Sequence, residues 1–305
     1  MGRESSYFAG QHALITGGSM GIGLAIARRL VELGAGVTLV ARREDLLLDA
    51  AARLARQGRA VRVRTLALDV ADEATVRREI PEELSAQPVD LLVNCAGVAH
   101  AARFMETDTS EFRRQMEVNY FGTLSMARAV IPHFLSRRSG YLVNVGSIAS
   151  LEGVYGYSAY APSKFAIHGL SQVLRAELRV HGIGVSVLQP PNTQTAQLEA
   201  EEATAPPETL RISRTTKALS ADRVADALVR GVARGRFEII PGLDSRLIAR
   251  LHRITPTPLR AFFDWQVGRE KGVRYRRPEP PSRPAGAATS ESPQDATGAA
   301  TTADD

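Results

Sequence analysis

The chain of 305 residues holds one cysteine, Cys95, and three lysines, Lys164, Lys217 and Lys271. A single thiol excludes an internal disulfide and suits a reducing, cytoplasmic compartment. It follows an apolar strand and reads as a small buried side chain rather than a nucleophile. Aromatic residues make up 6% of the chain, and no basic stripe interleaves with them, so nucleic acid is not an expected partner. No apolar run of about 18 residues marks a membrane span, and the N-terminus lacks the apolar core of a signal peptide. The six histidines are scattered without metal-ligand spacing, so no metal is expected. What is present, 44% hydrophobic and 23% charged residues, fits a globular fold with a sizeable core.

Tyr160-Ala161-Pro162-Ser163-Lys164, with Ser147 thirteen residues upstream, carries the first chemical signal. Residues i and i+4 share a helix face, which puts Lys164 beside the Tyr160 phenol. A neighbouring ammonium favours the phenolate, so the expectation is a lowered phenol pKa and a tyrosine fit for proton transfer. The second signal is a short apolar strand, His12 to Thr16, that runs into Gly17, Gly21 and Gly23 and then into a helical pattern. Strand, glycine turn and helix form a phosphate cradle: glycine lets the backbone approach a pyrophosphate, and the helix N-terminus offers free N–H groups.

With these motifs the chain resembles the short-chain dehydrogenase/reductases of the Tyr-Lys type over about residues 8–242. Thr16 to Gly23 matches the family's cofactor loop, and Asn94-Cys95-Ala96-Gly97 its Asn-Asn-Ala-Gly segment with Cys95 in place of the second Asn. The resemblance implies catalysis by Ser147, Tyr160 and Lys164, with Asn119 holding a relay water behind the lysine. The expected cofactor contacts are Gly17, Ser19, Met20, Gly21, Ile22 and Gly23 in the loop, and Arg42 and Arg43 after the second strand. Asp69, Val70, Asn94, Ala96, Gly97, Tyr160, Lys164, Pro190, Thr193 and Thr195 complete the set.

Strands alternate with helices: strands at 12–16, 36–41, 61–68, 89–94, 141–145, 185–188 and 237–240, helices at 43–57, 110–134 (closed by Pro132), 159–180 and 221–233. Repeated βα units with apolar strands predict an α/β, Rossmann-like, doubly wound parallel sheet of about seven strands. The resemblance adds the strand order 3-2-1-4-5-6-7. The expected domain is 1–242, with a substrate lid at about 190–219. A basic amphipathic extension follows at 243–277, and a Pro/Ala/Thr-rich tail at 278–305 reads as disordered.

Cofactor choice rests on the end of the second strand, where Arg42 stands and no acid does. Arginine there reads the 2′-phosphate, so NADPH/NADP+ is expected, with Arg43 as a second contact. Two surface arginines in an arginine-rich chain are the plain alternative. The segment Pro190-Pro191-Asn192-Thr193-Gln194-Thr195, with Pro207-Glu208-Thr209, is similar to 3-ketodihydrosphingosine reductases. That implies reduction of 3-dehydrosphinganine to sphinganine. Another lipophilic ketone, a β-ketoacyl thioester, or nucleotide binding without catalysis are the other readings.

Any of Glu199, Glu201, Glu202 and Glu208 in the lid is placed to attract a substrate ammonium, or they form an ordinary solvated helix face. Residues 236–277 hold ten Lys/Arg against four Asp/Glu. Peripheral association of 246–277 with the cytoplasmic face of an anionic membrane is one reading of that balance. Packing on the domain, or on a second subunit of a homo-oligomer, is the other.

Overall fold

The computed structural model describes residues 3–56, 61–215 and 217–271. The tail at 278–305 lies outside them, as does the end of the helix expected at 43–57. After a short N-terminal helix α1 (Arg3–Phe8), strands and helices alternate. The strands are β1 (His12–Thr16), β2 (Gly36–Ala41), β3 (Val63–Ala67), β4 (Leu91–Asn94), β5 (Gly140–Val145) and β6 (Ile183–Leu188). Two-residue strands β7 (Thr193–Gln194), β8 (Leu219–Ser220) and β9 (Glu238–Ile239) follow. The seven-stranded sheet has the order β3-β2-β1-β4-β5-β6-β9, all parallel, which is the expected winding.

The period of two along each strand feeds a core on each face of the sheet. Ala13 and Ile15 of β1, with Val37 and Leu39 of β2, pack under α2 (Gly21–Glu32), α3 (Glu44–Ala55) and α10 (Ala221–Val232). Leu14, Val40 and Leu92 face the other way, onto α4 (Glu73–Ala86), α6 (Gly122–Arg137) and the end of α7 (Tyr160–Arg179). Each fully buried Leu, Ile or Val contributes about 1.5–3 kcal/mol, and two such layers fix the strands relative to one another.

Two expectations for 110–134 are corrected. Instead of one helix there is α5 (Thr109–Met116), a π-helical turn at Glu117–Phe121, and then α6. Pro132 does not close the helix, which runs on to Arg137 and ends at Arg138 with φ of 49°. Pro132 and Arg128, whose carbonyl loses its bond, are both exposed, so the gap opens to solvent and the helix continues. The lid expected at about 190–219 holds α8 (Ala196–Thr204) and α9 (Pro207–Ser213), closed at its base by the β7–β8 pair. Helices α11 (Leu243–Ile254) and α12 (Pro256–Lys271) complete the described chain.

A buried polar chain crosses the edge of the sheet. His12 Nε2 lies 2.8 Å from Thr38 Oγ1, and the Thr38 hydroxyl donates to Glu83, which Arg64 grips with two bonds of 2.8 Å. With the Thr38 proton committed to Glu83, the histidine is the donor of the first bond. Burial holds the His12 imidazole down at about 4, against the attraction of Glu83 and Asp90. The neutral ring is therefore the folded form. Its stabilisation is complete above the ordinary value of 6.5 and is lost as pH falls from there towards 4. The thermal midpoint should drop across that window, and less steeply in His12→Asn. An identical slope in the variant would contradict this.

Candidate active site

The loop after β1 is shaped by what a side chain would strike. Gly17 and Gly21 have φ of +66° and +56°, in the left-handed region that favours glycine. A Cβ on Gly17 would sit 3.0 Å from the Ala96 backbone, and one on Gly23 would sit 2.2 Å from the Gly17 carbonyl. Thr16 Oγ1 accepts from Cys95 N–H at 2.9 Å and Ala96 N–H at 3.0 Å, locking the loops after β1 and β4 together. Backbone and the N-terminus of α2 thus form an open cradle. Its glycines leave the close approach that a dinucleotide pyrophosphate needs.

This cradle is one end of a cleft of about 440 Å³ that runs over the carboxyl ends of the strands to the lid. Gly17, Ser19, Met20, Gly21, Ile22, Gly23, Arg42, Arg43, Asp69, Val70, Ala96 and Gly97 all line it. So do Ser147, Tyr160, Lys164, Pro190, Thr193 and Thr195. The Arg42 guanidinium is exposed, with Nη1 3.9 Å from the Asp69 carboxylate, and remains available to an anion. Arg43 leans on Met20, Nη2 to Sδ 3.9 Å. A cradle for pyrophosphate with arginine at the ribose end fits NADPH.

Two expected site residues lie behind the cleft wall. Asn94 is buried, and its amide donates to Asn144 Oδ1 at 3.0 Å and the Thr123 carbonyl, tying β4 to β5. Asn119, in the π-helical turn, holds Val98 by both backbone atoms (2.8 and 2.9 Å) and donates to Ser163 Oγ at 2.9 Å. Ser163 in turn donates to the Tyr160 carbonyl, so Asn119 anchors the start of α7. A Cβ on Gly97 would stand 3.1 Å from Asn119 Oδ1 and 3.5 Å from Lys164 Nζ, so a larger residue would crowd both.

Ser147 lies two residues after β5 and lines the cleft floor with Tyr160, where its hydroxyl acts to lower the phenol pKa. It also accepts from Ala149 N–H at 3.1 Å, which fixes its direction. Lys164 donates to the Val145 carbonyl at 3.0 Å, and its Nζ lies 5.5 Å from the centre of the Tyr160 ring. Burial brings the Lys164 ammonium down to about 8. The expected lowering of the phenol is not what this geometry produces. Burial, reinforced by the Glu201 charge, pushes Tyr160 above its usual value of 10, while Ser147 pulls the other way. Desolvation wins because neighbouring segments crowd the half-buried ring, while the Lys164 ammonium lies 5.5 Å from the ring centre rather than on the phenol oxygen. Burial also pushes the Cys95 thiol up to about 12, leaving it a poor nucleophile.

The structure separates the four lid glutamates. Glu208 is 1% exposed and bonded to Arg103 and Tyr155, pinning α9 to the loop beneath it. Glu199 and Glu202 are exposed. Glu201 alone of the four lines the cleft, accepting from the Tyr157 hydroxyl at 3.2 Å. Tyr157 was not foreseen; it lies three residues before Tyr160, and their ring centres are 5.6 Å apart. The lid starts over the glycine loop, where Thr195 caps α8 and its methyl would meet a Gly21 Cβ at 3.3 Å.

Residues 11–206 match the short chain dehydrogenase family. A 3-ketodihydrosphingosine reductase of Bos taurus is 38% identical over 79% of this chain and 74% of its own length. A fatty acyl-CoA reductase of Acinetobacter baylyi is 31% identical over 81% of each. Among solved structures, a short-chain dehydrogenase from Sphingobium yanoikuyae in complex with NADPH superposes with a TM-score of 0.70 at 27% identity, covering 88% of this chain and 98% of its own. By sheet order, cleft and likeness alike, the chain belongs to the short chain dehydrogenase family.

Proposed function

We propose that this oxidoreductase reduces 3-dehydrosphinganine to sphinganine with NADPH. The observation that carries the chemistry is that Ser147, Tyr160 and, one helical turn on, Lys164 line the floor of one cleft together. The 38% likeness to 3-ketodihydrosphingosine reductases supports the substrate. The cleft also suits a long-chain amphiphile, since Ile148, Val154, Leu198, Ile212, Ile248 and Phe262 give it apolar walls.

The glycine loop would hold the pyrophosphate, Arg42 the 2′-phosphate and Lys164 the nicotinamide ribose. NADPH, when bound, supplies the hydride. The protein's own part is to hold the ketone oxygen and protonate it. Ser147 donates to that oxygen, where negative charge develops, and Tyr160 passes its phenolic proton to the forming alkoxide. A phenol kept above 10 is fully protonated at neutral pH, the form that reduction requires. Lys164 stabilises the phenolate left behind, and we place the relay water that restores the proton beside Asn119, behind the lysine. NADPH consumption with 3-dehydrosphinganine, compared with acetoacetyl thioesters and steroids, tests the reading. Turnover should be greatest with the amino ketone, and faster turnover of the thioester would overturn it.

We also propose that α11 and α12 rest on an anionic membrane face from which the substrate is drawn, at the cytoplasmic side. No helix among the described residues is long and apolar enough to cross a membrane. On α11, however, Leu243, Leu247, Leu251 and Ile254 are exposed at helical spacing, while Ile248 lines the cleft. Trp265 is 52% exposed on α12. An exposed apolar stripe within a segment of excess positive charge suits a bilayer surface, and it stands beside the mouth a lipid would enter. The protein should sediment with phosphatidylserine-containing vesicles at low salt and be released at high salt. No binding at low salt, with a dimer formed instead, would assign the stripe to a second subunit.

A further inference from the structure

Of the lid's acidic groups, Glu201 is placed as though for a charged ligand. Its Oε2 accepts from the Tyr157 hydroxyl at 3.2 Å and its Oε1 from the Gln197 amide at 3.0 Å. A carboxylate offers about four acceptor positions, so these bonds fix its direction and leave others open to the cleft. It lines the same cleft as Tyr160, and the Tyr157 ring from which it accepts is centred 5.6 Å from the Tyr160 ring. Lys164, the cation of the site, is turned towards Val145 and the Tyr160 ring. Burial also raises the Glu201 carboxyl above its usual range, against the bonds from Gln197 and Tyr157 and the weaker pull of Lys164.

In a 2-amino-3-ketone the ammonium sits on the carbon bonded to the carbonyl. Once the ketone oxygen meets Ser147 and Tyr160, that ammonium is confined to the same end of the cleft. We propose that Glu201 receives the 2-ammonium group of the substrate and selects amino ketones over uncharged ketones of equal chain length. This deepens, and rests on, the reductase reading given above. Tyr157, by donating to Glu201, keeps the carboxylate aimed at the reacting carbon's neighbour.

The test compares Glu201→Gln, Glu202→Gln and the unmodified protein on 3-dehydrosphinganine, its N-acetyl derivative and the deaminated 3-ketone. Glutamine keeps the shape and an acceptor for Tyr157 but removes the charge. The preference for the amine in kcat/KM should fall about tenfold to a hundredfold in Glu201→Gln, chiefly through KM, as expected for a lost charge-assisted bond. Glu202 is exposed, so Glu202→Gln should leave the preference unchanged. Calorimetric binding of sphinganine against N-acetylsphinganine gives a second readout that needs no turnover. An unchanged preference in Glu201→Gln, or sphinganine bound as tightly by the variant, would overturn the assignment. If the unmodified protein turned over none of the ketones, the reductase reading would fall, and the binding comparison would still decide the role of Glu201.

Discussion

Tyr160→Phe should lower kcat for ketone reduction by about 10²–10⁴-fold, the range expected when a positioned general acid is removed. The substitution deletes one oxygen from the cleft floor and leaves the ring that Lys164 and Tyr157 approach. Cofactor binding should persist, because the glycine cradle and Arg42 are untouched. NADPH fluorescence titration alongside steady-state rates separates the two effects. Near-full turnover in the variant would remove Tyr160 from the chemistry.

Arg42→Ala should weaken NADPH far more than NADH, by about tenfold to a hundredfold. The extra phosphate is the group the guanidinium would hold, and a charge-assisted bond of this kind contributes about 1.5–3 kcal/mol. Arg42 is exposed and its nearest acid, Asp69, is 3.9 Å away, so the folded protein loses little else with it. Competitive binding of the two cofactors to the variant reads the effect directly. Equal losses for both would show that Arg42 does not read the phosphate.

What could be foreseen from residue order follows from how locally each feature is encoded. The glycine loop and the Tyr160–Lys164 pair are short-range: steric demands at Gly17 and Gly23 and one helical turn place them without knowledge of the remainder. Strands β1 and β2 are buried on both faces and stand out as apolar runs. Helix α4 is nearly mute by contrast, because its buried side is marked by only three apolar residues, Val76, Ile80 and Leu84, beside the charged Glu83, and it carries Pro81 in its interior. Its clearest signal is Asp72, which caps it by accepting from Thr75 N–H at 3.1 Å.

The lid was harder for another reason. No residue of α8 is fully buried, so its sequence carries no stripe from which a face can be read. Which glutamate faces the cleft depends on how α8 docks over Tyr157, a contact 44 residues long in sequence. The phenol is the same case. A rule for neighbouring charges anticipates a lowered pKa, but desolvation by segments distant in sequence decides the direction. Asn94 likewise belongs to a family motif, yet its pairing with Asn144 across β4 and β5 turns it away from the cleft.

The most direct measurement follows the hydrogen itself. 3-Dehydrosphinganine would be incubated with the protein and with NADPH deuterated at the transferable position, and the product examined by mass spectrometry. Sphinganine carrying one deuterium, at carbon 3, should form mole for mole with the NADPH consumed, and Tyr160→Phe should not form it at a comparable rate. Oxidation of NADPH without labelled sphinganine, or labelled sphinganine formed equally fast by the phenylalanine variant, would contradict it.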